Sequence, residues 1–440
     1  MFLGRTGTFS SGDDNKKGDS TMRMIDLHAH PYLKIANLPF LPNSFHAYTY
    51  TNGVWNPLSL EYQYINLKRS PVKILFNTHY IVEQGFLKQG IRWFSRALLW
   101  SVAPYHYHKM RAAEPWNTLI AQMNGLEKAI RNTNYLVFGD DPKLRLARSP
   151  QDISLLGEKE IAVIHAVEGA HVFGDPEAEG LSPDAFWERT RSRLHYLKER
   201  GVVMLTLAHF WDNPFVPQTD AVEMIPKKKN GKVVAGRDDL LFEMKRADWK
   251  FGEKNDLGEK LVREMLSIGM LCDLSHVQEE ARHRVYDLCE EYHRPVIVSH
   301  VGLKKWHDHE YNLADEEIKR VHRLGGVIGL IISKRLLVDA VARYKDDNIG
   351  IPLLIDIMRY VKDLVGDVSC LGIGTDFDGL THPFKDCYNP SHLPRLADAM
   401  SREFSREEVD AILYGNSWRA ISRGWGEMAK PERTTRTKRR

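Results

Sequence analysis

The chain has 440 residues, 43% hydrophobic and 27% charged, with a formal net charge of +3. This composition builds a large buried core and excludes a disordered or fibrous chain. Residues 430–440 hold six basic side chains against the single acid Glu432, so the body is close to neutral and offers no nucleic-acid-binding face.

Residues 1–22 are rich in Gly, Ser, Thr, Asp and Lys and lack an apolar signal core; they are expected to be disordered. The next stretch, Arg23-Met24-Ile25-Asp26-Leu27-His28-Ala29-His30-Pro31, is a short apolar run closed by two histidines and a proline. In a strand, residues two apart point to the same face, so His28 and His30 can seat one metal ion together. A long aromatic-rich insertion follows, about 36–115, with Tyr48, Tyr50, Trp55, Tyr62, Tyr64, Trp93, Phe94 and Trp100. Within it Leu87, Ile91, Phe94 and Leu98 recur at helical spacing between Lys88, Arg92 and Arg96. That is an amphipathic helix packed on the body; a lid or a homodimer surface is the sharper alternative. Residues 71–80 (PVKILFNTHY) are a further strand candidate.

From about residue 117 helical and apolar segments alternate. Helices are expected near 116–132, 184–200, 258–268, 279–292, 315–324 and 353–365. Strands are expected at 24–30, 161–167, 202–208, 270–274, 295–299, 326–332 and 370–375. With 71–80 the strand count is eight, which predicts an α/β fold of the TIM (β/α)8 barrel type carrying a long insertion after the first strand. No GxGxxG opens a helix after the first strand, which argues against a doubly wound sheet. The expected organisation is a disordered 1–22, a single barrel over 23–425 and a basic disordered tail at 426–440. Cys272, Cys289, Cys370 and Cys387 form no close pair, as expected of reduced thiols in a cytoplasmic protein. No run approaches about 18 apolar residues, and no apolar C-terminal tail is present, so no membrane anchor is expected.

The polar residues fall in register. His28, His30, Glu168, His209, His276, His300 and Asp376 all sit at or just past the carboxyl end of an apolar run. In an α/β barrel those ends share one rim, where active sites are built. Imidazoles and carboxylates without thiolate suit zinc, with manganese, iron or cobalt as other fits. One histidine after a strand is ordinarily structural; five in register point to a metal. Two other His-x-His pairs follow no strand and are expected at the surface: His106/His108 in an aromatic loop and His307/His309 in a charged one. His165, His171 and His382 are expected to be structural or to support the ligands from behind, and Asp26 and Asp378 to be either supports or purely structural.

The ordered motifs DLHAHP, LRLARSPQDI, HAVEGAHVF, LTLAHFWDNPF, CDLSHV, PVIVSHVG, GIGTDFDG and YGNSWRAI resemble the membrane (renal) dipeptidase family of zinc peptidases, within the amidohydrolase superfamily. The resemblance spans about 24–420 apart from the insertion. It implies a TIM barrel with a two-zinc site that hydrolyses a dipeptide. His28 and His30 would hold the first metal, Glu168 would bridge, and His276 and His300 would hold the second. His209 would bind and polarise the substrate carbonyl, and Asp376 would act in catalysis beside the bridging hydroxide. Two positions depart from the family pattern. His30 stands where the family has aspartate, which removes one negative charge and could draw Asp376 in as a further ligand. Tyr311 stands eleven residues after His300, where the family arginine grips the dipeptide carboxylate, and Asn312 follows as in the family. A phenol cannot supply that bidentate charged fork; Lys334 or Arg335 could replace it, or be solvated surface charges. The reading is a metal-dependent hydrolase with two divalent ions, zinc by preference, acting on a dipeptide or small amide. The alternatives are the same site acting on an N-acyl amino acid, ester or lactone, and a catalytically silent metal-binding protein.

Overall fold

The computed structural model describes residues 22–37, 43–46, 59–85, 100, 104–112, 114–219, 227–229, 232–234, 251, 257–338, 349–379 and 381–426. The expected amphipathic helix on Leu87, Ile91, Phe94 and Leu98 lies outside those residues, as do 1–21, the tail from 427 onward, Tyr48, Tyr50, Trp55 and Trp93.

The strands, in chain order, are β1 (Met24–Ala29), β2 (Val72–Tyr80), β3 (Lys143–Ala147), β4 (Glu160–Glu168), β5 (Met204–Thr206), β6 (Lys227–Lys229), β7 (Lys232–Val234), β8 (Leu271–Asp273), β9 (Ile297–Val301), β10 (Val327–Leu330) and β11 (Leu371–Ile373). Eight of them close a parallel ring in the order β1-β2-β4-β5-β8-β9-β10-β11, with β11 returning to β1. This is the expected α/β barrel. The eighth strand is the 71–80 segment: its Ile74 to Tyr80 pair in unbroken register with Ala162 to Glu168. The aromatic insertion therefore divides around a barrel strand. Strand β3 was not anticipated. It pairs with the first half of β4 outside the ring, and β6 and β7 form a separate antiparallel pair.

Alternation along the strands separates two cores. Ile74 and Phe76 of β2, Ala162, Ile164 and Ala166 of β4, and Leu271, Ile297 and Val327 belong to one cluster inside the ring. Leu75, Val163 and Val167 belong to the larger cluster between strands and helices. Helices arise where apolar residues recur every three to four positions. The helix Leu257–Ile268 buries Leu257, Leu261, Val262, Met265 and Leu266. Gly269 ends it at φ +73°, and a β-carbon there would lie 1.8 Å from the Gly426 carbonyl oxygen, so a side chain at 269 would have to displace the C-terminal segment. Strand β8 begins two residues later, so this stop sets where His276 emerges. Among the described residues no helix is long and apolar enough to cross a membrane.

Candidate metal centre

The inward row Ala162, Ile164, Ala166 of β4 ends in Glu168, which is 1% exposed and points into the carboxyl end of the barrel. Five imidazoles surround its carboxylate. The Nε2 atoms of His28 and His300 lie 3.4 and 3.5 Å from Oε1, and that of His276 lies 3.6 Å from Oε1. Those of His30 and His209 lie 3.5 and 3.6 Å from Oε2. Asp376 Oδ1 is 3.4 Å from His30 Nε2. The seven residues singled out at the strand ends thus meet in one buried cluster.

The hydrogen bonds behind the rings decide which nitrogen faces inward. The Ser299 hydroxyl donates its one proton to Asp273 Oδ2 at 2.6 Å, so it can only accept from Nδ1 of His28 and of His300, each 2.9 Å away. His30 Nδ1 donates to the Thr78 carbonyl at 3.0 Å, and His209 Nδ1 to Glu83 Oε1 at 3.3 Å. Four of the five rings therefore carry their proton on Nδ1 and aim an Nε2 lone pair at the centre. Burial, reinforced by the neighbouring imidazoles, holds His28 and His276 well below the ordinary histidine range, and burial brings His300 to about 4. Neutral imidazole is the ligand form. Burial pushes Glu168 well above the usual carboxylate range, and its Oε1 receives no hydrogen bond.

These residues fit divalent cations. Tetrahedral bonds of about 2.0–2.1 Å place ligand atoms about 3.3 Å apart. Here His28 and His30 Nε2 are 2.9 Å apart, and His276 and His300 Nε2 are 3.1 Å apart. Two of the possible ligand trios, His28/His30/Asp376 and Glu168/His209/His276, share this space. A third, His28/Asp273/His300, is centred on the Ser299 hydroxyl and is a hydrogen-bonding hub.

Several supports were not visible from spacing. Asp273, fully buried, accepts from Ser299 N (2.8 Å), Ser275 N (3.2 Å), Ser275 Oγ (3.1 Å), Thr206 Oγ1 (2.5 Å) and Ser299 Oγ (2.6 Å). Glu83, just past β2, also takes the Phe210 N–H at 3.0 Å and the Tyr80 hydroxyl. Burial opposes its ionisation, but the electrostatic attraction of the neighbouring His209 and His171 rings and the bonds from His209 and Tyr80 hold it at about 2. His276 (φ +65°), Asp376 (φ +54°) and Asp378 (φ +66°) adopt left-handed backbone, which costs a non-glycine residue about 1–2 kcal/mol and here aims two site residues.

Asp26 accepts from Thr375 N (2.9 Å), Thr375 Oγ1 (2.6 Å) and His28 N (3.2 Å), tying β1 to β11 behind the first pair of histidines. Asp378 holds the main chain of Glu61 (2.8 Å) and Tyr62 (3.0 Å) and pairs with Lys34 at 3.2 Å, a structural clasp. Tyr311, expected to face substrate, is 1% exposed; its hydroxyl donates to the His300 carbonyl and its ring lies 5.0 Å from that of His276. Asn312 is spent on Gly302 N (2.9 Å) and the carbonyls of His307 and Leu336 (3.0 Å each). The geometry gives both a role in holding the loop after β9. Arg335 Nη2 meets His382 Nε2 at 2.6 Å. His165 bonds His79 at 2.8 Å, and His171 bonds the Ile81 carbonyl at 2.6 Å, both structural uses. The surface expectation fails for His106: it lies on a helix, Pro104–Ala112, 6% exposed, with Nε2 on the Leu33 carbonyl at 2.7 Å. His108 is exposed as expected, and His307 and His309 are half-buried.

Gly379 supplies a test of this packing. A β-carbon there would lie 2.1 Å from Asp376 Oδ1 and 3.0 Å from His30 Cδ2. Gly379→Ala is expected to displace the Asp376 carboxylate and lower metal affinity about tenfold or more, read by chelator competition, with the unfolding midpoint nearly unchanged. Unaltered affinity would contradict this placement of Asp376.

Fold and site together define a parallel α/β barrel whose carboxyl rim carries a buried histidine–carboxylate metal centre. The model of the membrane dipeptidase family (peptidase family M19) matches residues 250–433, somewhat under half of the chain. An uncharacterised dipeptidase of Schizosaccharomyces pombe is 28% identical over 47% of this chain and 42% of its own. The dipeptidase tcpJ of Claviceps purpurea is 27% identical over 64% of this chain and 53% of its own. Human dipeptidase 3 is 26% identical over 37% of this chain and 32% of its own. The chain thus matches about half or less of the length of these relatives. Among solved structures, a metallopeptidase described as dipeptidase AC superposes with a TM-score of 0.63 at 16% identity, over 92% of this chain and all (100%) of its own. A metallopeptidase from Rhodobacter sphaeroides, liganded with a phosphinate mimic of L-Ala-D-Ala, gives 0.62 at 16% identity over the same shares. These two establish the likeness of fold.

Proposed function

We propose that this chain is a hydrolase that uses two divalent ions, zinc by donor type, to cleave a dipeptide or another small amide. The observation that carries the reading is the convergence of five Nε2 atoms and Asp376 on the buried Glu168 carboxylate. His28 and His30 would hold one ion, His276 and His300 the other, with Glu168 between them. Asp376 Oδ1, close to His30 Nε2, is placed to serve as the further ligand where the family has an acidic residue in place of His30. Such ions supply Lewis acidity and make water a nucleophile at neutral pH.

The residues do the rest. Asp376 takes the proton of the attacking water and returns it to the departing amine. His209, on the β5 side of Glu168, contacts the substrate carbonyl and stabilises the charge that grows on its oxygen. The buried rim excludes bulk water and so strengthens both contacts. The dipeptidases among the relatives support a peptide substrate. The enclosed Tyr311 favours a second reading on the same site, an N-acyl amino acid, ester or lactone, because no guanidinium stands at that position to grip a free carboxylate. The four buried, unbridged cysteines support a cytoplasmic setting.

The test is turnover by zinc-loaded protein on L,L- and L,D-dipeptides, acyl amino acids and lactones. Hydrolysis of the dipeptides, abolished by chelator and restored by zinc, is expected. Turnover confined to esters or lactones would favour the second reading, and no turnover of any of them would sink the hydrolase assignment.

A further inference from the structure

We propose that Glu83 is a positioning residue for the reaction, holding His209 in the orientation that meets the substrate carbonyl. The inference rests on the hydrolase reading above. Strand β2 does not touch β5, because β4 lies between them. Glu83 nevertheless reaches from just past β2, over the end of β4 that carries Glu168, to the loop after β5. Its Oε1 accepts from both His209 Nδ1 (3.3 Å) and Phe210 N (3.0 Å), so ring and backbone of the same loop are fixed by one atom. Its Oε2 takes the Tyr80 hydroxyl, and the Tyr80 ring lies 4.2 Å from that of His209.

A carboxylate only 4% exposed is expensive to bury, and among the described residues its hydrogen-bond donors are His209, Phe210 and Tyr80, all at His209. The arrangement leaves Nε2 of His209 as the edge facing Glu168, 3.6 Å from Oε2. Without Glu83 the imidazole loses its Nδ1 acceptor; its other contacts are Glu168 Oε2 at 3.6 Å and the rings of Tyr80, Phe210 at 3.9 Å and His276 at 4.5 Å, none of which fixes Nδ1. Glu83 also lies at the start of the second half of the aromatic-rich insertion, which ties that region to the chemistry.

The experiment uses metal-loaded full-length protein carrying Glu83→Ala or Glu83→Gln, each alone and with His209→Ala. Glu83→Ala is expected to lower kcat about 10–100-fold, with KM within about threefold and metal content unchanged. Glu83→Gln keeps an acceptor for Nδ1 and is expected to recover most of that loss. In the His209→Ala background Glu83→Ala is expected to add less than about twofold, the mark of residues acting as one unit. Unchanged kcat, or a full further drop in that background, would overturn the proposal. Should Glu83→Ala fail to fold, Tyr80→Phe reads the same coupling: a kcat loss that vanishes with His209→Ala supports the proposal, and one that persists overturns it. In 15N-histidine-labelled protein, the His209 Nδ1–H signal should be present in the wild type and lost in both Glu83→Ala and Glu83→Leu. Its persistence overturns the positioning role even if no tested substrate is turned over, an outcome that would fail the hydrolase reading separately.

Discussion

Glu168→Gln will lower turnover by on the order of 10³-fold while leaving the barrel folded. The substitution keeps the shape of the side chain and removes its charge. That carboxylate lies within 3.4 to 3.6 Å of all five site imidazoles. An amide offers one oxygen, so at the proposed two-ion site it would not grip both cations equally and would leave their charge uncompensated. Losing several kcal/mol of electrostatic stabilisation at about 1.4 kcal/mol per tenfold gives the stated factor. The folded barrel should be indifferent or slightly more stable without metal, because burial already pushes Glu168 toward its protonated form. Steady-state kinetics and a chelated melting curve check both halves. Turnover within tenfold of wild type would show that Glu168 does not bridge.

Arg282→Met will cost about 3–5 kcal/mol of stability. Arg282 and Glu317 are 1% and 0% exposed and meet in a two-pronged pair, Nε to Oε1 at 2.6 Å and Nη2 to Oε2 at 2.9 Å. The remaining Nη1 holds the carbonyls of Val277 (2.7 Å) and Glu310 (2.9 Å), which adjoin His276 and Tyr311 in sequence. The methionine leaves the Glu317 carboxylate buried without its counter-charge, which is the costly event, and frees the two carbonyls beside His276 and Tyr311. Arg282→Met with Glu317→Leu should regain at least half of the loss, because the stranded charge is gone. Urea unfolding midpoints measure this. A single-variant loss under about 1 kcal/mol, or a double variant no better than the single, would contradict it.

The barrel was legible because its strands are short apolar runs that each end in a polar residue, and periodicity exposes both features. Helix limits such as Leu257–Ile268 followed from amphipathic spacing and a glycine stop. Strand β3 carries a readable alternation, Lys143 and Arg145 outward against the buried Leu144, yet it lies outside the ring and ends in no site residue. The seven rim residues were legible by register alone. Their supports were not. Asp273 sits within a recognised motif, but its five donors come from two strands, β5 and β9, and the loop after β8, and only folding brings them together. Glu83 follows β2 in a segment with no pattern to mark it. The left-handed backbone of His276 and Asp376 is uncommon even for His and Asp, which adopt it more often than most residues, so residue type alone does not mark these two positions. Position alone suggests substrate contacts for Tyr311 and Asn312; their bonds to the His300 carbonyl and to Gly302 N appear only in the fold.

The proposed site holds two metal ions at one rim, between His28 and His30 on one side and His276 and His300 on the other. Metal analysis by mass spectrometry on zinc-reconstituted protein counts them. About two ions per chain are expected, falling to about one in His30→Ala and in His276→Ala. Fewer than one ion in the wild type, or two ions retained in both variants, would contradict it.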